Sequence, residues 1–251
     1  MPNLPTLSTS RTQLLWAVAD QIMYGAGNVL LVSQFARSTS GSDLAKISAT
    51  YVLITVALAV VRGGISEVLI SSTRTYEDHR SANTNSRIIL GFIALPMLAL
   101  GAVLLLLDVS AVTILLAGLP LLILQDRMRF EWIQSGRPSG AFRLDAVGLA
   151  AQVSLLLATG SLVNPSSEVA AACWVGGCAV SFVCAMTVSG PYRLEEARRW
   201  IGDNLRPILF TVGQVAGINV SGQIPVFVFG LTGDPHAAAG YLAATQLLSP
   251  Q

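Results

Sequence analysis

Charged side chains interrupt two of the apolar stretches of this chain, and their chemistry suits the binding of a polar ligand. Asp20 lies in the stretch 12–35, and Arg62 lies in the stretch 48–71. A guanidinium group matches a phosphate group because its fork of donors can bind two oxygens at once. A charge at the centre of a membrane span costs about 2.5–3.5 kcal/mol or more, so such residues are rare and commonly functional.

Polar residues at helical spacing accompany both charges. Arg62 shares one helical stripe with Ser48, Thr55 and Ser66. Asp20 shares a face with Tyr24 and Asn28, and a later apolar stretch carries several amides. Polar faces in a membrane helix are expected to point into the bundle, where they line a cavity or pair with one another. The candidates for the lining of a substrate cavity are Arg62, Asp20, Tyr24, Asn28, Gln214, Asn219 and Gln223.

The composition predicts a membrane protein. Of the 251 residues, 53% are hydrophobic and 12% are charged, and the mean hydropathy is +0.63. These values are typical of a chain with several membrane spans. The net charge of +1 and the absence of a basic tail in the sequence give no indication of nucleic-acid binding. Three cysteines (Cys173, Cys178 and Cys184) fall in one apolar stretch without a nearby histidine, so we expect packing residues and no metal site.

The hydropathy pattern predicts an all-α polytopic transmembrane bundle of about seven or eight spans. A hydrocarbon core of about 30 Å requires about 20 helical residues. An eighth apolar stretch begins near His236. The seven earlier stretches are 12–35, 48–71, 87–107, 109–125, 141–163, 168–189 and 207–231.

The distribution of basic residues predicts a cytoplasmic N-terminus. With that orientation, twelve arginines lie in or beside the cytoplasmic connections, against Arg37 and Lys46 on the other side. Such an asymmetry is typical of proteins of the cytoplasmic membrane. The segment 190–206 places apolar residues on one helical face and is predicted to lie on the inner leaflet.

The orientation brings Arg62 and Asp20 to one depth. Each lies roughly 12–14 Å from the inner face, which predicts that they are neighbours. Three interpretations stay open: a site that attracts a lipid diphosphate headgroup, a structural ion pair between the first two helices, or an arginine that snorkels to the inner headgroups. The adjacent Gly63 and Gly64 are expected to let another helix approach closely or to bend the second helix at this point.

Two stretches carry a resemblance to a known family. They are "GNVLLVSQFARSTSGSDLAKISATYVLI" (Gly27 to Ile54) and "LTGDPHAAAGYLAATQLLSP" (Leu231 to Pro250). The first is similar to the first helix pair of polysaccharide flippases, and the second to the start of their second half. The chain thus resembles the O-antigen and teichoic-acid export branch of the multidrug/oligosaccharidyl-lipid/polysaccharide exporter superfamily.

The resemblance implies two six-helix lobes that meet on the cytoplasmic side. It divides this chain into an N-terminal six-helix lobe (1–189), an amphipathic cytoplasmic linker (190–206) and the first two helices of a second lobe (207–251). On this interpretation the chain is a partial or truncated one that ends inside its eighth helix. The missing helices are then expected from another copy or another chain.

The expected function is the translocation of a lipid-linked oligosaccharide or polysaccharide precursor by alternating access. The alternatives are a cation-coupled exporter of small molecules, which is disfavoured because only Asp20 is a clearly buried carboxylate, and a scaffold for glycan assembly. Enzymatic activity is not expected, because His79 and His236 lie in predicted loops and no nucleophile arrangement is present in the sequence. The expected partners are the lipid bilayer, the lipid-linked glycan and glycan-assembly proteins or a second chain; no cofactor is expected.

Overall fold

The regular structure is helical throughout the described part of the chain. A computed structural model describes residues 11–39, 41–68, 91, 94–164, 166–186 and 194–231. The helices are α1 (Arg11–Ser38), α2 (Gly41–Val61), which continues as a π-helical segment (Arg62–Glu67), α3 (Ala94–Leu107), α4 (Ala111–Gln134), α5 (Pro138–Ala158), α6 (Ser167–Met186) and α7 (Leu194–Leu231). The predicted all-α fold is confirmed. The predicted eighth span and the loop 72–86 lie outside the described residues.

Five of these helices are long and apolar enough to cross a membrane. They are α1, α2, α4, α5 and α6, while α3 is apolar but shorter. The chain is therefore a helical protein with several candidate membrane spans. The full number of spans and the side on which the N-terminus lies stay predictions.

Helix α4 extends past the end of the span that hydropathy predicts. It begins at a capping box, in which the side chains of Ser110 and Thr113 each bond the other's backbone N–H, and it ends at Gln134 rather than at residue 125. Gly136 then adopts a positive φ of 71°, which glycine reaches without strain, and Pro138 starts α5. The extension places Arg127 and Arg129, two of the twelve arginines assigned to the cytoplasmic connections, inside a helix.

The helices form a bundle in which α4, α5 and α6 pack on one another. Helix α1 packs on α5 and α6, whereas α2 packs on α4 and α7. The apolar core lies where α2, α4 and α6 meet, and it includes Leu115 and the tilted ring pair of Tyr51 and Trp174. Lipid offers no hydrophobic driving force between helices, so close packing of small residues matters more here than in a soluble core. A Cβ at Gly177 of α6, for example, would lie 2.6 Å from the carbonyl oxygen of Gly148 in α5.

Two polar contacts identify the ends of the bundle. At one end, the Gln13 side chain donates to the carbonyl of Gly136 (3.3 Å). At the other, Arg37 donates to the carbonyls of Leu162 (3.3 Å) and Val163 (3.1 Å). The N-terminus of α1 and the α4–α5 turn therefore share the first end, and the α5–α6 turn lies at the second end.

Helix α7 joins two segments that the sequence divides. The amphipathic segment up to residue 206 and the span from 207 form one helix of 38 residues with Pro207 inside it. Val212 and Val215 of α7 pack directly on Gly64 and Gly63 of the π-helical segment. The prediction that this glycine pair admits a close helix is confirmed. The domain boundaries placed at 190 and 206 stay predictions.

Candidate functional site

Five charged side chains from four elements form one connected group, which we call the buried charge network. It joins α1, the π-helical segment, α4 and α5 through ion pairs within the bundle. Its members are Asp20, Arg62, Asp126, Arg129 and Asp145.

Arg62 forms a two-pronged contact with Asp126. Its Nη2 lies 2.6 Å from Oδ1 and its Nε lies 3.4 Å from Oδ2. The guanidinium also lies 5.6 Å from the centre of the Phe130 ring, within the range of a cation–π contact. With 18% of its side chain exposed, against 5% for Asp126, Arg62 is the most accessible member of the network.

Arg129 is the centre of the network. Its Nη2 lies 2.6 Å from Oδ2 of Asp20, its Nε lies 2.7 Å from Oδ2 of Asp145, and its Nη1 lies 3.9 Å from Oδ1 of Asp126. The Tyr24 ring lies 4.3 Å from the guanidinium carbon. A charge this deeply buried is stable only when it is paired, so Arg129 and its carboxylates hold α1, α4 and α5 together.

The expected pairing of Arg62 with Asp20 is wrong. Asp20 pairs with Arg129, and Arg62 pairs with Asp126. The reason is the order of the helices: α1 packs chiefly on α5 and α6, whereas α2 packs on α4 and α7. The two charges share a depth but have different neighbours, and α4 supplies the opposite charge to each.

The network lies well inside the first end of the bundle. At 1.5 Å per residue, Asp20 is about 13 Å from the start of α1, and Asp145 is about 10 Å from the start of α5. Asp126 is about 12 Å from the end of α4. Three helices thus bring their charges to one layer. The depth of this layer from the first end agrees with the depth that the sequence predicts for Asp20 and Arg62 from the inner face.

The other predicted cavity residues divide into two groups. Tyr24 and the buried Asn28 line a small cavity beside the network. On α7, Gln214 is exposed, and the Asn219 side chain donates to the carbonyl of Val215 in its own helix (2.8 Å). Among the described residues, no hydrogen bond or ion pair joins either of these two to the network. The side chain of Gln223 lies outside the described part of the chain.

Sequence reasoning missed Asp126, Arg129 and Asp145. The signal for Asp145 was present, because this carboxylate falls inside the predicted span 141–163. Asp126 and Arg129 follow the stretch 109–125 without a break and are spaced by three residues, which puts them on one helical face. The run of charges from Asp126 to Arg129 is typical of the end of a span, so the sequence alone places these residues in a connection.

The cavity beside the network has polar groups on several sides. Its volume is about 40 Å³, and its lining includes Tyr24, Gln125, Asp126 and Asp145. Gln125 donates to Oδ1 of Asp145 (3.2 Å). This volume admits a few water molecules, whereas sites for organic ligands typically measure about 300–1,000 Å³. In this conformation the cavity suits water or a small ion rather than a saccharide.

No family model, curated protein or solved structure matches the chain.

Proposed function

We propose that this protein is a membrane transporter that moves a lipid-linked oligosaccharide or polysaccharide precursor across the cytoplasmic membrane. The observation that carries the proposal is the position of Arg62. It is an arginine within a candidate membrane span, and it is the most exposed member of a network whose other charges are almost fully enclosed. Intramembrane charges typically mark the path of a polar substrate.

Arg62 can exchange its carboxylate partner, Asp126, for a phosphate group. Its contact with Asp126 uses two guanidinium nitrogens, as a contact with a phosphate would. A diphosphate headgroup that enters from the first end would compete with Asp126 for this guanidinium. The adjoining Gly63 and Gly64 let Val215 and Val212 of α7 pack closely on the segment that carries Arg62. Alternation between the two contacts would open and close a path for the headgroup.

The resemblance supplies the substrate class in this proposal. A lipid diphosphate combines a headgroup that an arginine binds with a prenyl tail that can stay in the bilayer beside the bundle. The lining for the saccharide would come from both lobes that the resemblance implies. Glycan-assembly proteins and a second copy or chain remain the proposed protein partners.

Transport can be measured with the purified full chain in liposomes. The probe is a fluorescent saccharide on a prenyl diphosphate, and its movement between leaflets is followed by a quencher that cannot cross the bilayer. We expect the wild-type chain to move the probe and Arg62→Gln to lose most of this activity at equal incorporation. Lys46→Gln is the matched control, because Lys46 forms an exposed pair with Asp43.

Three results would count against the proposal. Liposomes with the wild-type chain that move no more probe than empty liposomes would reject transport by this chain alone. Full activity of Arg62→Gln would remove Arg62 from the substrate path. Equal loss of activity and of folded protein in that variant would assign Arg62 a structural role.

A second candidate function is a cation-coupled exporter of small molecules. The structure removes the argument against it, because three carboxylates rather than one are buried: Asp20, Asp126 and Asp145. Buried acidic residues are the usual groups through which transporters couple to a cation gradient. Uptake of a cationic dye into liposomes that depends on a proton or Na⁺ gradient, with no movement of the prenyl diphosphate probe, would favour this function.

A further inference from the structure

Two carboxyl groups share a single edge of the Arg129 guanidinium. Nε and Nη2 form one edge of the fork, which in a bidentate pair is occupied by the two oxygens of one carboxylate. Here Nε faces Oδ2 of Asp145 at 2.7 Å, and Nη2 faces Oδ2 of Asp20 at 2.6 Å. Two acidic side chains from different helices are therefore brought side by side by one cation.

One oxygen of this arrangement lacks a hydrogen-bond donor. Oδ1 of Asp20 is buried and accepts no hydrogen bond, while Oδ2 of Asp20 and Oδ2 of Asp145 both lie against the same edge of the Arg129 guanidinium. A buried acceptor without a donor costs about 1–3 kcal/mol. One proton placed between the two groups would turn one oxygen into a donor and satisfy its neighbour.

The other polar groups around Asp20 and Asp145 have partners of their own. From α4, Asp126 lies beside Arg129 and is held by Arg62, while Gln125 donates to Asp145. Arg127 is buried on the same turn of α4. Tyr24 of α1 stacks on Arg129, and α6 contributes the uncharged thiol of Cys178 to the nearby cavity. The five members of the network carry three negative and two positive formal charges.

We propose that Asp20 and Asp145 together hold one proton in the packed bundle. Two carboxylates that share a buried site do not both ionise readily, because the second charge is repelled by the first. The proton lies between α1 and α5, so it supports the packing of these helices on Arg129. The proposal requires neither a glycan substrate nor the transport reaction, and it concerns only the charge state of this pair.

Separation of α1 from α5 would end the sharing. Once water reaches the carboxyl groups, each is solvated separately, and the proton leaves to solvent while Arg129 keeps one carboxylate partner. The packed bundle thus binds one proton more than the separated one. Because the packed bundle binds the additional proton, a lower pH favours it over the separated one.

Infrared spectroscopy of the full chain in lipid nanodiscs tests the proposal. A protonated carboxyl group has a C=O stretching band that is separate from the carboxylate bands. We expect the wild-type chain to show this band at neutral pH. Asp20→Asn and Asp145→Asn should each remove it, because the remaining carboxylate then has Arg129 to itself. Asp43→Asn, which changes an exposed aspartate, should leave the band unchanged.

The wild-type spectrum decides the question even if a variant fails to fold. Absence of the band at neutral pH would overturn the proposal, and so would a band that persists in both folded Asn variants. If the band is absent and Na⁺ raises the unfolding temperature while choline does not, the pair binds a metal cation instead of a proton. Circular dichroism checks that the variants keep their helical content.

Discussion

Arg129 and Asp20 lie 2.6 Å apart although 109 residues separate them in the chain, and water reaches at most 1% of either side chain. This contact ties α4 to α1 in the interior of the bundle. In such a pair, loss of one partner leaves the other charge buried and uncompensated. That penalty exceeds the net contribution of the intact pair, and it determines which substitutions the bundle tolerates.

Arg129→Gln is expected to be among the most destabilising single changes in the network. It leaves both Asp20 and Asp145 without their guanidinium, and breaking a buried pair in this way costs about 3–5 kcal/mol. Thermal unfolding of the purified protein in detergent, followed by circular dichroism, measures the loss. Lys46→Gln also removes the positive charge of an ion pair, but of an exposed one, and should cost less than about 1 kcal/mol. Similar effects of both variants would contradict the central role of Arg129.

Arg62 should be energetically coupled to Asp126 more strongly than to Asp20. A double-mutant cycle of Arg62→Gln with Asp126→Asn is expected to give a coupling energy on the order of 1 kcal/mol or more, because the two side chains are in direct contact. The cycle of Arg62→Gln with Asp20→Asn should give a smaller value, since Arg129 and Asp126 stand between them. Unfolding in denaturant provides both values. A larger coupling energy with Asp20 than with Asp126 would instead support the pairing of Arg62 with Asp20.

Two adjacent glycines of α6 should respond differently to alanine. A Cβ at Gly177 would lie 2.6 Å from the backbone oxygen of Gly148, whereas one at Gly176 would meet only the end of the Leu155 side chain, at 3.0 Å. Gly177→Ala should therefore push α5 and α6 apart and cost about 1–3 kcal/mol. Gly176→Ala should be near neutral, because a leucine tip can move. Equal unfolding temperatures for the two variants would show that the α5–α6 contact is looser than described.

The orientation of the bundle can be tested by labelling its two ends. Ser135 lies in the α4–α5 turn and Val163 in the α5–α6 turn, and both are exposed. In a chain whose cysteines Cys173, Cys178 and Cys184 are replaced by alanine, each position is changed to cysteine and exposed to a membrane-impermeant maleimide. We expect Val163→Cys to react in intact cells and Ser135→Cys only after permeabilisation. The reverse pattern would invert the predicted topology.

Hydropathy predicts that the described chain is helical and apolar, but it predicts neither the end of α4 nor the charged contacts between helices. Asp20 and Arg62 stand out because a single charge in an apolar stretch is conspicuous. Arg129 does not, because it follows an aspartate and another arginine at the end of a stretch, where a helical extension and a loop have similar composition. Only the packing of α4 between its neighbours shows that these charges point into the bundle.

Partners in an ion pair depend on which helices are neighbours, and hydropathy does not contain that information. The depth of Asp20 and Arg62 could be derived from helix geometry, and the structure brings both into one layer. Depth alone does not reveal that α4 supplies a carboxylate to Arg62 and a guanidinium to Asp20. The division of the sequence at residue 207 illustrates a similar limit, because α7 continues through Pro207.

The length of α7 has a mechanical consequence. Its 38 residues extend about 57 Å, roughly twice the thickness of a hydrocarbon core of about 30 Å. Val212 and Val215 lie near the middle of this helix and pack on Gly64 and Gly63, so a tilt of α7 would pivot at this contact. From there to Leu194 the arm is about 28 Å long, so a tilt of about ten degrees at the glycine pair moves the helix end by about 5 Å. Movement of the N-terminal end of α7 would therefore be transmitted, through this contact, to the segment that carries Arg62.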